Sequence, residues 1–213
     1  MLNPRLHVAP LEGPQGDARL RQLDIPGFPP LSQALSDGAG AFRACTHRHP
    51  ASYRGTRMWG ETFASLSYNL ARSDWEQRRY MNVDLLIHRS RRNAIIVTAA
   101  DEACGHRDID PQVKHERGEV ISTLANGASH GLFSAQSPLA AECRLWFLLH
   151  RVRQTALDAE LSAPLGVGRE GLVTGWIERI LIPGPSITGG GRIQPSVPQP
   201  SSPVDVDVTR RSA

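Results

Sequence analysis

The sequence has few of the features that identify a protein class at sight. Only three of its 213 residues are cysteines, Cys45, Cys104 and Cys143, which are too scattered for a disulfide framework. Aromatic residues make up 6% of the chain. No apolar run approaches the length of about 18 residues that a membrane-spanning helix needs. The first residues do not have the charged region and apolar core of a secretory signal, so the sequence predicts a cytoplasmic protein without membrane contact.

Lysine is almost absent, since Lys114 is the only one among 24 basic residues. The arginines are concentrated in residues 41–100, which contain ten arginines and four acidic residues and so carry a net charge of +6. Clustered positive charge is typical of proteins that contact phosphates or acidic surfaces. The next segment, residues 101–136, has a net charge of −3. The sequence leaves open whether the acidic loop 101–119 folds over the basic block.

Proline and glycine divide the chain into three parts. Residues 1–40 hold six prolines and five glycines, which helix and strand interiors tolerate poorly, and this segment is interpreted as an irregular arm. Residues 184–213 are similar and are predicted to be a disordered tail. Residues 41–183 remain as a single α+β domain. A small apolar cluster in the arm, Ile25, Phe28 and Leu31, is expected to dock onto that domain.

Hydrophobic periodicity gives the predicted elements. Trp59, Phe63, Leu66 and Leu70 lie on one helical face, and a capping-box pattern at Ser73–Glu76 extends the helical region to about 58–80. A short apolar run and a β-branched run, separated by a polar turn, predict a β-hairpin at about 82–99. A second helix is predicted near 138–161 because Ser137-Pro138 is a typical helix start. A closing strand over 173–183 completes an α+β fold with a small mixed or antiparallel sheet.

The hairpin resembles, in outline, the core of the PD-(D/E)xK nucleases. In that family acidic residues on adjacent strands hold Mg²⁺, a hard cation that prefers oxygen ligands, and a lysine polarises the phosphate. Asp84 stands at the first acidic position. Thr98 and Ala100 stand where the second acid and the lysine belong. The resemblance covers about 20 residues and implies at most a catalytically degenerate relative.

Two clusters contain residue types that bind zinc. They are Cys45, His47 and His49 in the first cluster, and Cys104 and His106 in the second. Four such ligands would suit Zn²⁺, but the spacing matches no common zinc finger, and the clusters would have to meet in space. No metal, cofactor or catalytic residue is therefore predicted.

The predicted contact surface consists of arginines. Arg89, Arg91 and Arg92 occupy the tip of the hairpin, and Arg54 and Arg57 precede the first helix. We expect a non-enzymatic accessory or protein-interaction protein with an unknown protein partner and a basic contact surface in residues 41–100. The alternative is a nucleic-acid-binding protein whose arginines contact the phosphates of DNA or RNA.

Overall fold

A computed structural model describes residues 7–80, 82–90, 92–114, 121–122, 124–125, 143–153, 156–168 and 171–184. Within them lie three helices, α1 (Gly13–Gln22), α2 (Pro29–Ala44) and α3 (Tyr53–Leu70), followed by a single 3-10 turn at Ala71–Ser73. The six strands are β1 (Trp75–Tyr80), β2 (Val83–His88), β3 (Asn93–Ala99), β4 (Arg144–Val152), β5 (Leu157–Val167) and β6 (Val173–Ile182).

The strands form one mixed sheet in which spatial order follows chain order, β1-β2-β3-β4-β5-β6. Every neighbouring pair is antiparallel except β3 and β4, which run parallel. The predicted α+β class and mixed sheet are confirmed. The predicted hairpin is also confirmed, because β2 and β3 pair with Leu86 opposite Ile95.

The sheet has a different cover on each face. The first face packs against α1, α2 and α3, with strand residues such as Leu148, Leu161 and Ile180 in a shared apolar core. The second face holds a separate core that includes Phe147 and Leu149, and the loop 100–114 contributes Cys104 and Val113 to it. Side chains alternate between these faces along β2, β3 and β4, as the pleat requires, while the register of β5 and β6 shifts between Ala163 and Val167.

Helix α3 agrees with its predicted periodicity. Phe63, Leu66 and Leu70 are buried, and Trp59 packs against the same core while half-exposed. No helix in the described part of the chain is both long and apolar enough to cross a membrane.

The interpretation of residues 1–40 as an irregular arm is wrong for most of its length. Pro14 lies in the first turn of α1, and Pro29 and Pro30 begin α2, where the missing N–H costs nothing because those positions have no partner within the helix. Leu20, Leu31 and Leu35 are fully buried, so these helices belong to the core. The predicted docking of Ile25, Phe28 and Leu31 is confirmed. Of the predicted tail, residues 185–213 lie outside the described residues.

The short helix predicted to reach Tyr80 is instead the strand β1. Asp74 takes a left-handed conformation with φ of +59°, which ends the helical region just before the strand. Trp75 then pairs with His88, and the pairing continues to Tyr80 opposite Val83. Pairing with a neighbouring strand, which local sequence cannot show, outweighed the capping pattern.

The helix predicted near 138–161 is also wrong in its described part. Residues 144–152 form β4 and residues 157–167 form β5, while 138–142 lie outside the described residues. Strand β4 is central and is covered on both faces, so its sequence Leu-Trp-Phe-Leu-Leu is continuously apolar. Such a run fits a buried strand as well as a buried helix, and periodicity does not separate the two.

The two edges of the sheet are treated differently. Along β6 the N-terminal segment adds a short parallel bridge. In it the Leu11 N–H donates to the Arg179 carbonyl at 2.8 Å, and the Leu181 N–H donates to the Leu11 carbonyl at 2.8 Å. Along the outer side of β1, no strand pairs among the described residues.

Candidate functional site

The predicted arginines separate into two groups. Arg54 and Arg57 lie in the first turns of α3, while the hairpin arginines lie beyond its other end, where Arg89 N–H donates to the carbonyl of Asp74 at 2.8 Å. A helix of 18 residues is about 27 Å long. Arg54 and Arg57 therefore do not form one continuous surface with Arg89 and Arg92, and Arg91 lies outside the described residues.

The hairpin group is partly neutralised. The guanidinium of Arg89 lies 3.4 Å from the carboxylate of Asp74, and both side chains are mostly exposed. Arg92 is exposed as well, and its described contacts are made by its backbone, which bonds Ser90 and Arg144. This end of the sheet retains positive charge, but Asp74 neutralises part of it.

Arg54 makes contacts that stabilise the fold locally. Its Nη2 donates to the carbonyl of Cys45 at 3.2 Å, and its Cζ lies 5.9 Å from the centre of the Phe42 ring. Cys45 is the C-cap of α2, so the guanidinium sits at the negative end of that helix dipole. This arrangement holds Arg54 against α2 and fixes the turn between the two helices.

Arg57 is only partly available to a ligand. Its guanidinium lies 3.6 Å from Glu61 one helical turn further on. Its Nε is buried without a hydrogen-bond partner among the described residues. An exposed ion pair of this kind is worth little and exchanges readily with an anion.

We call residues 43–57 the basic turn; they run from the end of α2 through the connecting loop into the first turns of α3. Arg43 and Arg48 are exposed within it and make no ion pair in the described part of the chain. No aspartate or glutamate occurs anywhere in residues 38–60. Helix α3 also begins without an acidic residue in its first turn and without a side-chain cap, so no carboxylate there offsets the positive end of the helix dipole.

The basic turn also contains an aromatic pair. The rings of His49 and Tyr53 are stacked, with centroids 4.9 Å apart and planes within 3°. The His49 ring is oriented by Thr46, whose backbone N–H donates to Nδ1 at 3.0 Å. His49 is exposed and Tyr53 is half-exposed. Nothing in the sequence pattern predicted this pair, although the stretch of 23 residues without an acid is readable from the sequence.

The two clusters of zinc-binding residue types do not combine. Cys45 is buried and its Sγ donates to the Ala41 carbonyl at 3.4 Å. Cys104 is buried at β5, with its Sγ 3.8 Å from the carbonyl of Asp158. Among the described residues, no three His, Cys, Asp or Glu side chains are grouped so that they could hold a metal ion.

The positions compared with the nuclease core also diverge. Asp84 lies on the first face of the sheet, and it accepts a hydrogen bond from Arg79 Nε at 2.9 Å on the paired strand. Thr98 follows Ile96 by two residues and so shares its face, which is the second face. The two side chains therefore point to opposite sides of the sheet, and Asp84 already has a cationic partner.

The acidic loop, in its described part 100–114, packs on β5 and β6 and not on the basic turn. Arg179 is fully buried there and donates to Glu160 at 2.7 Å, to Asp110 at 3.1 Å and to the carbonyl of His106 at 2.8 Å. Glu160 also accepts from Ser162 at 3.0 Å. The described part of the loop therefore leaves the basic turn uncovered.

Burial dominates the protonation of this buried network. It raises the pKa of the Glu160 carboxyl, although hydrogen bonds and charge from Arg179 act in the opposite direction. Burial, together with the charge of Glu160, also raises the pKa of the Cys104 thiol well above its usual value. A thiol of this kind is a poor nucleophile, so the network has the chemistry of a structural tie.

Comparison with known proteins gives no relative. No protein-family model matches the chain, and neither a curated protein nor a solved structure matches it.

Proposed function

We propose that this protein is a non-enzymatic binding protein that holds a single-stranded nucleic acid on its basic turn. The observation that carries this proposal is the acid-free stretch 38–60, which contains the exposed Arg43 and Arg48 together with the His49–Tyr53 stack. Arginine contacts phosphate, and flat aromatic rings stack on bases, so the two features together suit a nucleic acid.

An acidic protein surface would also attract the arginines, and the sequence alone favoured a protein partner. The aromatic pair favours a nucleic acid, because every base presents a π face and an acidic peptide does not. Binding to single strands is preferred over duplex because the bases of a duplex are already stacked on each other. The cytoplasm remains the proposed compartment, since all three cysteines are free and buried.

The test is fluorescence anisotropy of labelled single-stranded and duplex oligonucleotides, at about 50 and 200 mM salt, the range over which phosphate contacts weaken. The double variant Arg43→Ala/Arg48→Ala should bind the single strand much more weakly. Each lost phosphate contact should lower the slope of log affinity against log salt by about 0.7. Tyr53→Ala should cost about 1–3 kcal/mol of binding free energy if a base stacks there.

The hairpin provides a matched control. Arg89→Ala/Arg92→Ala removes the same charge from the opposite end of α3, so it corrects for the general loss of positive potential. Binding should fall much less in this variant. A larger fall in the hairpin variant would move the site to the hairpin, as the sequence predicted. No salt-sensitive binding at about 50 mM would overturn the proposal and leave the accessory-protein class.

A further inference from the structure

Strand β1 forms one edge of the sheet. The opposite edge, β6, is covered by the N-terminal segment through Leu11, but no described strand covers β1. An open edge presents unpaired N–H and C=O groups to another chain. The exposed residues Gln77, Arg78 and Arg79 lie in the middle of this strand.

The pairing of β1 with β2 shows which backbone groups face outwards. Asp74 and Arg89 are directly opposite in the register that pairs Trp75 with His88, and Arg89 N–H donates to the Asp74 carbonyl. Bonded and non-bonded pairs alternate in an antiparallel ladder. The backbone groups of residues 76, 78 and 80 therefore hydrogen-bond to β2. Those of Trp75, Gln77 and Arg79 point to the open edge.

The side chains of β1 carry a complementary pattern. Trp75 belongs to the core of the first face and Tyr80 packs against the core of the second. Glu76 and Arg78 therefore share the second face, where their side chains are paired at 2.8 Å and about half-exposed.

We propose that β1 pairs antiparallel with β1 of a second copy of this chain, around a two-fold axis at Gln77. This register places Glu76 opposite Arg78 of the other copy, twice, on one face of the sheet. It also brings together Trp75 and Arg79, whose backbone groups face outwards, so each such pair exchanges two backbone hydrogen bonds.

The charges select this register over its neighbours. Moving the axis to residue 76 would place Glu76 opposite Glu76, and moving it to residue 78 would place Arg78 opposite Arg78. Like charges directly opposite each other destabilise a sheet. Axes at the even residues are therefore disfavoured, and an isologous dimer with one continuous sheet results.

Sedimentation equilibrium of the full chain measures the association. Because the interface is small, we expect a dimer with a Kd of about 10–100 μM. Glu76→Arg and Arg78→Glu each create two like-charge pairs and should weaken the dimer about tenfold or more. The double variant Glu76→Arg/Arg78→Glu restores opposite charges and should dimerise like the native chain.

Mixing the two single variants separates this proposal from an effect within one strand. Each single variant has like charges at positions 76 and 78 of its own chain, but across the axis the two variants are fully complementary. The mixture should therefore form a heterodimer tighter than either homodimer. A monomer at about 100 μM, or a dimer that ignores these charges, would overturn the proposal.

A cross-link gives a second readout that does not depend on charge. In Gln77→Cys the introduced thiols meet at the axis, where opposite Cα atoms in a bonded pair are about 5.5 Å apart and within disulfide range. Oxidation should give a covalent dimer, and the native cysteines should not interfere because they are buried. Ala64→Cys, on the exposed side of α3, is the control and should cross-link far less. Equal cross-linking of the two variants would contradict the proposed axis.

Discussion

Helices α1, α2 and α3 cover the first face of the sheet, whereas the second is covered largely by the loop 100–114, with Ile121 and Leu124 beside it. A helix satisfies its own backbone hydrogen bonds, so the first face needs only apolar contacts from residues such as Leu148, Leu161 and Ile180. A loop has no internal ladder, and its buried N–H and C=O groups must find partners elsewhere. The second face therefore supplies them from polar side chains of the strands.

The partners can be named one by one. Arg179 donates to the carbonyl of His106, and Trp176 Nε1 donates to the carbonyl of Pro111 at 3.0 Å. The N–H of Gly105 donates to Glu160 at 3.4 Å. A loop cover thus explains why two opposite charges, Glu160 and Arg179, are fully buried in this sheet. We therefore predict that stability is sensitive to changes of charge on the second face and to changes of side-chain shape on the first.

The largest expected effect comes from breaking the buried ion pair. Arg179→Met leaves the Glu160 carboxyl without its cation in a site that has no access to water. Removal of one partner from a buried pair costs about 3–5 kcal/mol of the free energy of unfolding. Urea unfolding followed by circular dichroism measures the change.

The double variant Glu160→Leu/Arg179→Met is the control for this prediction. It removes both charges together, and such replacements are often neutral, so most of the lost stability should return. Both variants remove the hydrogen bonds from Arg179 to Asp110 and to the His106 carbonyl, so the difference between the two variants reports on Glu160 and its bonds to Ser162 and Gly105. Equal stability of the two variants would show that Glu160 does not need its cation.

The first face should respond to shape. At Gly38 in α2 an added Cβ would lie 2.8 Å from the Met58 carbonyl of α3 and would also collide with Thr62 Oγ1. Overpacking against backbone is not relieved by rotation of a side chain, so Gly38→Ala should cost about 1–3 kcal/mol. Thermal or urea unfolding measures it.

Gly60 in α3 provides the opposite result for the same substitution. A Cβ there meets nothing within 4 Å. Gly60→Ala should therefore stabilise the protein by about 0.5–1 kcal/mol through the better helix propensity of alanine. If both variants changed stability by the same amount, close approach of α2 and α3 would not be what selects glycine at position 38.

The same contrast explains how much the sequence could predict. Helix α3 and the β2–β3 hairpin were predicted because their periodicity is local and complete. Strand β4 was mistaken for a helix because a central strand, buried on both faces, loses the alternation that identifies strands. The helices α1 and α2 were missed because their prolines were counted as breakers, although their places in the first turns make them helix starters.

The candidate site was only half visible for a related reason. Charge totals located the basic block but not the distribution of its arginines over two ends of α3. Ion pairs such as Arg89–Asp74 join residues that approach each other only after folding. The absence of acids in residues 38–60 was readable from the sequence, whereas the stacking of His49 on Tyr53 required coordinates.

The smallest expected effect is a pH dependence of stability, which we expect on the second face and not on the first. Burial raises the pKa of Glu160 above its ordinary value of 4.5, so the folded state binds a proton more tightly than the unfolded state does. The contribution of Glu160 to stability is therefore complete below pH 4.5 and is lost as the pH rises through the folded-state pKa. Glu160→Gln cannot titrate, so the stability of the native chain relative to this variant should fall over that window, as measured by urea unfolding at a series of pH values.

Gly38→Ala, on the first face, should differ from the native chain by the same amount at every pH. If the stability of the native chain relative to Glu160→Gln rose with pH instead, attraction to Arg179 would outweigh burial, and the loop-covered face would be stabilised by its ion pair and not merely tolerate it.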